Sequence, residues 1–456
     1  MSDLITVREY AYISVVHTGC PESTIDHAYI SASAFDHLCE LSATFSKHGA
    51  KVFELAGRRK LRLDQYVGVI ETKCGTRIEI LPKHVDINLN ESNETAIEKE
   101  RELLKKMLKV SLHLPYRDAG QASLSRFKQP IHEWIIDQFL CNFEKLIQRG
   151  LRFDYHRVQE EQKYLRGQLQ HVKHMRQSPA RKHIFPIEHD IYEVDRPENR
   201  LIKTALDVVC KKTRNSKNWK LAQELRLMTG EIPKSQNIVQ DFKQWQSGRL
   251  LALYAEIKPW TELILSEYMP VSTQGGWRGM SLLFPMEKLF EHYVAYHLRR
   301  ELKEWDVKTQ VSNQHICTFN EKPLFRLKPD IYIQHKCSPY KIILDTKWKL
   351  LDQNDRNRRF GLKDSDVQQM FAYSHYYLDH ASEVILIYPY QKNKFEDEIC
   401  FKFNVQNDQA MLRVIPFNLD KPYDFIKSIS SSNFESEMAL LHKPICKGFF
   451  SDIIFK

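Results

Sequence analysis

The chain has 456 residues, 42% hydrophobic and 27% charged, with a formal net charge of +9; that length suits two or three domains, each with its own core. No run of about eighteen apolar residues offers a membrane span, and an N-terminus carrying Asp3, Arg8 and Glu9 argues against a signal peptide. Nine cysteines without a C-x-x-C pair or zinc-like spacing suit reduced thiols in the cytoplasm, and the modest positive surplus permits nucleic-acid binding without demanding it.

Residues 4–17 alternate like a strand, and 50–83 hold several more, with Cys74-Gly75 marking a hairpin between Tyr66–Ile70 and Arg77–Leu81. Residues 1–85 therefore read as a β-rich module. The polar stretch Asp86–Thr95 has no hydrophobic period and is taken as a boundary. From 96 to 270 the pattern is mostly helical. Ile97, Leu103, Leu104, Met107 and Leu108 form one amphipathic face, and Pro130–Gly150 carries Pro at its start and Gly past its end. Helical spacing returns at 195–212, 217–229 and 247–268, whereas 155–191 is irregular and rich in His, Lys and Arg. Gln274–Trp277 reads as a linker into a third part, 275–456.

That part opens with a helix from Pro285, whose apolar positions Met286, Leu289, Phe290, Tyr293, Val294 and Leu298 follow helical spacing. Leu327–Lys349 reads as two strands joined at Ser338-Pro339. Phe325, Leu327, Ile331 and Ile333 share one parity and Asp330 takes the other. Asp345 and Lys347 share a face, because side chains alternate along a strand. An ammonium beside a carboxylate on an apolar strand, with a second Asp one strand away, is costly unless it serves chemistry. The plain alternatives are a buried salt bridge or an edge strand with its charges in water. A loop with Asp352, Asp355, Arg356, Arg358 and Arg359 follows. Next comes a helix from about Ser365, with Ser365 and Gln368 as a capping box. Val384–Tyr388 reads as a strand covered on both faces, followed by strands at 399–405 and 412–417.

Pro329-Asp330, followed across the hairpin by Asp345-Thr346-Lys347, resembles the PD-(D/E)xK nuclease superfamily. The stretches FPMEKLFEHYV (284–294), IILDTKWK, DSDVQQMFAYS (364–374), YVGVIETKCGTRIEILPK (66–83) and residues 165–206 resemble, more narrowly, the McrC family, the nuclease subunit of modified-cytosine restriction systems. The resemblance runs from about 50 to 390. It implies an α+β multidomain chain: an N-terminal β-rich module, a helical middle and a C-terminal α/β restriction-endonuclease-like domain.

Phosphodiester hydrolysis needs an activated water and neutralised phosphate charge, and carboxylates that gather Mg²⁺ meet both needs. Asp330 and Asp345 are the expected ligands, with the main-chain carbonyl of Thr346 as a further oxygen. Lys347 would orient or deprotonate the water. Glu287 and Glu291 lie one turn apart. Helical angle puts Glu287 deeper in the apolar arc, whereas the family's L-F-E segment implies Glu291 as the third acid. Both glutamates as surface salt bridges is the plain alternative. Gln369 and Tyr373, four apart on one helical face, match a Q-x-x-x-Y arrangement of such nucleases and would contact the metal-site water or the DNA backbone.

The basic run His171, Lys173, His174, Arg176, Arg181, Lys182, His183 suits a phosphate backbone, a solvated face or a subunit interface. The sequence holds no G-x-x-x-x-G-K-[ST], so nucleotide hydrolysis is not expected of this chain. The McrC resemblance implies double-stranded DNA as substrate and an AAA+ GTPase ring resembling McrB as partner, with residues 1–85 docking on that ring. The alternatives are a stand-alone nuclease in repair or recombination, and a non-catalytic adaptor that holds DNA or a partner.

Overall fold

A computed structural model describes residues 4–47, 50–84, 93–112, 114, 129–265, 282–378, 383–403 and 411–425. They divide into two compact units, drawn from Met1–Lys83 with Glu91–Phe284 and from His84–Asn90 with Pro285–Lys456. The expected linker at Gln274–Trp277 and most of the Asp86–Thr95 boundary lie outside the described residues. Among the described residues no helix is long and apolar enough to cross a membrane.

The first unit begins with strands β1 (Leu4–Arg8), β2 (Tyr12–Val15) and β3 (His27–Ile30), a helix Ala32–Lys47, then β4 (Phe53–Gly57), β5 (Lys60–Leu63), β6 (Tyr66–Glu71) and β7 (Arg77–Leu81). The single strand expected over 4–17 is two strands. The chain turns at Tyr10, which has a positive φ of 61°, so that β1 runs parallel to β7 while β2 joins β3 and β5 in another sheet. The helix Ala32–Lys47 was absent from the sequence reading. It buries Ala34, Phe35 and Leu38 in the same core as Ile13, Leu61 and Ile80. The β6–β7 hairpin forms as expected, with Gly75 at φ 86°.

Helices Asn93–Ser111, Ile131–Gln148, Pro197–Lys212, Ser216–Met228 and Ala252–Leu265 match the helical periods of the middle segment, and a short helix, Ile238–Gln244, adds to them. The irregular stretch between them corrects the helical reading. Strands β8 (Asp154–Gln162) and β10 (Phe185–Glu193) pair antiparallel over nine residues, with β9 (Gln168–Leu169) added to β10. The sequence DYHRVQEEQ of β8 shows no apolar alternation, because the ribbon has little core to face. The basic run falls on a short helix, His171–Met175, and a 3₁₀ turn, Pro179–Arg181, between β9 and β10. Strand β11 (Leu282–Pro285) closes the sheet β1-β7-β6-β11. A Cβ at Gly68 of β6 would stand 1.9 Å from the Leu282 carbonyl oxygen, so only glycine permits this pairing.

The second unit is a six-stranded mixed sheet, ordered β12-β15-β16-β17-β19-β18. Its strands are β12 (Trp305–Thr309), β15 (Ile331–His335), β16 (Lys341–Thr346), β17 (Glu383–Pro389), β18 (Ile399–Lys402) and β19 (Met411–Phe417), and β13 (Gln314–Phe319) and β14 (Lys322–Leu327) form a separate hairpin. β16, β17 and β19 are parallel, and every residue of β17 is buried, as its apolar run requires. Met370, Tyr373 and Tyr377 of the helix Asp364–Tyr377 pack with Ile343, Leu386 and Val414 on one face. Phe290 and Tyr293 of the helix Met286–Glu301 meet Trp348 and Phe417. The strand expected to run from Phe325 to Ile333 is interrupted. β14 ends at Leu327, Phe325 is exposed with φ 54°, and Pro329 has no amide hydrogen for a ladder. The expected Ser365–Gln368 capping box does not form. The helix cap is Lys363, without a side-chain bond, and Ser365 already lies inside the helix.

Candidate active site

The parallel pairing of β16 with β17 carries Asp345 into the core beneath the Asp364–Tyr377 helix, with part-buried Lys347 just past the strand's end. Asp345 is 1% exposed. Burial, and then the neighbouring charge of Asp330, push its carboxyl up to about 7 against the pull of Lys347. Lys347 Nζ lies 2.6 Å from Asp345 Oδ2, a close charged contact. Burial works against the lysine's charge, but Asp345, followed by Asp366 and Asp330, raises its pKa above the ordinary value. The ammonium is therefore a settled cation at neutral pH.

Gln369 reads both partners. Its Oε1 accepts from Lys347 Nζ at 3.2 Å, and its Nε2 donates to Tyr373 Oη at 2.7 Å and lies 3.5 Å from Asp345 Oδ1. Tyr373 Oη in turn donates to the Lys328 carbonyl at 3.0 Å. The four-residue spacing places both side chains on one face of the helix, as expected.

Asp330 stands at the entrance to β15 and reaches across to β16. Its Oδ2 accepts from Thr346 N–H at 2.9 Å and from Thr346 Oγ1 at 2.8 Å. Thr346 thus acts here as a double donor, a role absent from the sequence reading. Glu291 is 2% exposed, whereas Glu287, which helical angle had placed deeper, is exposed. Glu291 Oε2 pairs with Lys288 Nζ at 2.7 Å. Gln310, unread in the sequence, donates from Nε2 to both Glu291 Oε1 and Asp330 Oδ1. Lys349 and Asp366 form a second ion pair at 2.9 Å, and Tyr388 Oη donates to Asp366.

The structure therefore brings Asp330, Asp345, Thr346, Lys347, Gln369 and Tyr373 into one network, and attaches Glu291 through Gln310. Among the described residues no three His, Cys, Asp or Glu side chains already converge as a metal cluster. The basic run of the first unit spends part of its charge locally: Arg181 pairs with Glu161 at 2.6 Å, and Lys173 donates to Gln159 at 2.8 Å.

The family model described as McrBC 5-methylcytosine restriction system component matches residues 61–389, well over half of the chain. The chain belongs to this family. The McrC resemblance drawn from the wider stretches between about 50 and 390 is thereby borne out. The fold is similar to a chain of the refined half-complex from a tetradecameric assembly of Thermococcus gammatolerans McrB AAA+ hexamers with bound McrC. The TM-score is 0.70 at 19% identity, over 94% of this chain and 99% of that one. A chain in the cryo-EM structure of the Thermococcus gammatolerans McrBC complex matches with a TM-score of 0.51 at 21% identity, over 66% of this chain and 88% of that one. No curated protein matches the sequence. At these identities the solved structures establish the fold alone, so the McrBC membership rests on the family match.

Proposed function

We propose that this McrBC component is the Mg²⁺-dependent DNA endonuclease subunit of a 5-methylcytosine-directed restriction system, working in the cytoplasm with an AAA+ GTPase partner that resembles McrB. The observation that carries the reading is the 2.6 Å ion pair between buried Asp345 and part-buried Lys347, beside Asp330. A charged pair at this depth is a poor stabiliser compared with apolar residues. The donor set also fits the cation. Asp330, Asp345, Glu291 and the Thr346 carbonyl are hard oxygens of the kind Mg²⁺ takes, and the charge of Asp330 adds to the cost of ionising Asp345.

When bound, the cation lowers the pKa of a water and draws charge from the phosphoryl oxygens. The chain's own residues do the rest. Lys347, cationic and fixed by Asp345 and Gln369, orients the attacking water or steadies charge on the phosphate. Tyr373 fixes which way the Gln369 amide faces, so its oxygen stays on the lysine. Asp330 is held on β16 by the two Thr346 donors and does not swing as duplex DNA arrives.

The test compares the isolated chain, the chain with its AAA+ ring and GTP, and Asp345→Asn with the same ring, on methylated and unmethylated duplexes. Cleavage of methylated DNA in the second arm alone is expected. Efficient cutting by the isolated chain would favour a stand-alone nuclease of repair or recombination. DNA retention without cutting in every arm would favour an adaptor.

A further inference from the structure

Gln310 follows β12 directly and adopts a left-handed backbone, φ 54°, which non-glycine residues seldom take. Its N–H donates to the Asp330 carbonyl at 2.9 Å, beside the Thr309–Ile331 pairing, so the backbone is tied to the strand entrance that carries Asp330. Strained positions of this kind persist where the surroundings over-determine them, and they gather at functional sites. The side chain shows what the strain accomplishes. An amide NH₂ has two hydrogens, and Nε2 directs them at two carboxylates, Glu291 Oε1 and Asp330 Oδ1, the latter at 3.2 Å. The other oxygens are already engaged, Glu291 Oε2 by Lys288 and Asp330 Oδ2 by Thr346. The amide nitrogen therefore occupies the point where two acids from different elements meet, and it is a neutral donor where a cation is the natural partner.

We propose that Gln310 is a positioning residue that stands in for the divalent cation, holding Glu291 and Asp330 in register in the metal-free protein and yielding its two bonds when the cation binds. The inference rests on the nuclease reading above. It assigns Gln310 a competitive relation to the metal: the amide preserves the site at the expense of part of the metal affinity. A purely structural residue would stabilise the metal-free and metal-bound protein alike.

The experiment uses the full chain with Mg²⁺ alone as probe, titrated calorimetrically and followed by thermal melting in EDTA and in saturating MgCl₂. Gln310→Ala should melt below wild type in EDTA, bind Mg²⁺ several-fold more tightly, and recover most of the lost melting temperature at saturation. Gln310→Asn tolerates the left-handed backbone but is one methylene too short to serve both acids, so it should fall between the two and guards against a misfolded Ala variant. An equal loss of melting temperature with and without Mg²⁺, or Mg²⁺ binding by both variants no tighter than that of a wild type that does bind it, would overturn the inference while leaving the nuclease reading intact. Failure of wild type and both variants to bind Mg²⁺ would overturn both. Binding by the variants where wild type shows none would support the stand-in role directly.

Discussion

Asp345→Asn should stabilise the metal-free protein, and the gain should depend on pH in a defined direction. In the folded chain this carboxyl is pushed from the ordinary 3.8 to about 7, first by burial and then by Asp330, with Lys347 opposing. Between those values the folded state holds a proton that the unfolded state has lost, so stability is full below the unfolded value and falls as pH rises through the folded one. At about 1.4 kcal/mol per pKa unit, the full loss is on the order of 4 kcal/mol. Asparagine approximates the protonated acid in shape and charge and escapes that loss. Its advantage over wild type should widen by roughly 2–3 kcal/mol between about pH 5 and pH 8. For a unit of this size that is about 5–10 °C in melting temperature. Melting both proteins in EDTA across that range measures it. Mg²⁺ should then raise wild type and leave Asp345→Asn nearly unmoved, because only ligand bound to the native state stabilises it. A gap that stays constant with pH would mean that Asp345 is ionised at no cost, and the argument from its burial would fail.

Two further substitutions probe the same network. Lys347→Ala should lose cleavage by two orders of magnitude or more, roughly the scale of one electrostatic group at a reacting centre, while calorimetry still detects Mg²⁺; loss of metal binding would make the lysine structural. Glu291→Ala should damage cleavage far more than Glu287→Ala, since Glu291 is buried against Gln310 and Glu287 is exposed; the reverse order in a plasmid-cutting assay would reassign the third acid.

What the sequence made legible was local and periodic. The run from Val384 to Tyr388 announced a strand covered on both faces, and Asp345-Thr346-Lys347 placed two charges on one side of β16. The helix Ala32–Lys47 was missed although Ala34, Phe35, Leu38, Leu41 and Phe45 follow helical spacing, because serine, threonine and histidine fill the gaps between them. The β8–β10 ribbon had no apolar alternation to read. Gln310 belongs to a different class of omission. A single glutamine in a polar loop has no period, and its meaning arises only when β12 delivers it between residues 19 and 20 positions away. Phe325 and Pro329 show the converse error, where alternation on paper ran through a point at which the backbone turns out of the ladder.

Removal of residues 1–85 is the obvious way to test whether the N-terminal strands dock a partner, and the structure argues that it would remove much more. Glu79 of β7 is fully buried; its Oε1 accepts from the Ile131 N–H at 2.9 Å and its Oε2 pairs with Arg101 at 2.6 Å. Glu71 holds Lys212 at 2.7 Å, and Arg77 donates to the Lys212 carbonyl, also at 2.7 Å. These bonds cap or neutralise helices Asn93–Ser111, Ile131–Gln148 and Pro197–Lys212 from the outside. Breaking one partner of a buried ion pair costs about 3–5 kcal/mol, and two such losses together with an uncapped buried helix start approach the whole stability of a domain, about 5–15 kcal/mol. β11 would also lose the β6 edge that Gly68 is built to admit. The truncated chain should therefore show one cooperative melting transition where the full chain shows two, with helical circular dichroism lost in proportion. Retention of a cooperative helical transition at the full-chain temperature would refute this. Until that is measured, docking by the N-terminal strands is better tested by substitutions at their exposed positions, such as Leu55, which is 68% exposed on β4 and participates in none of these bonds.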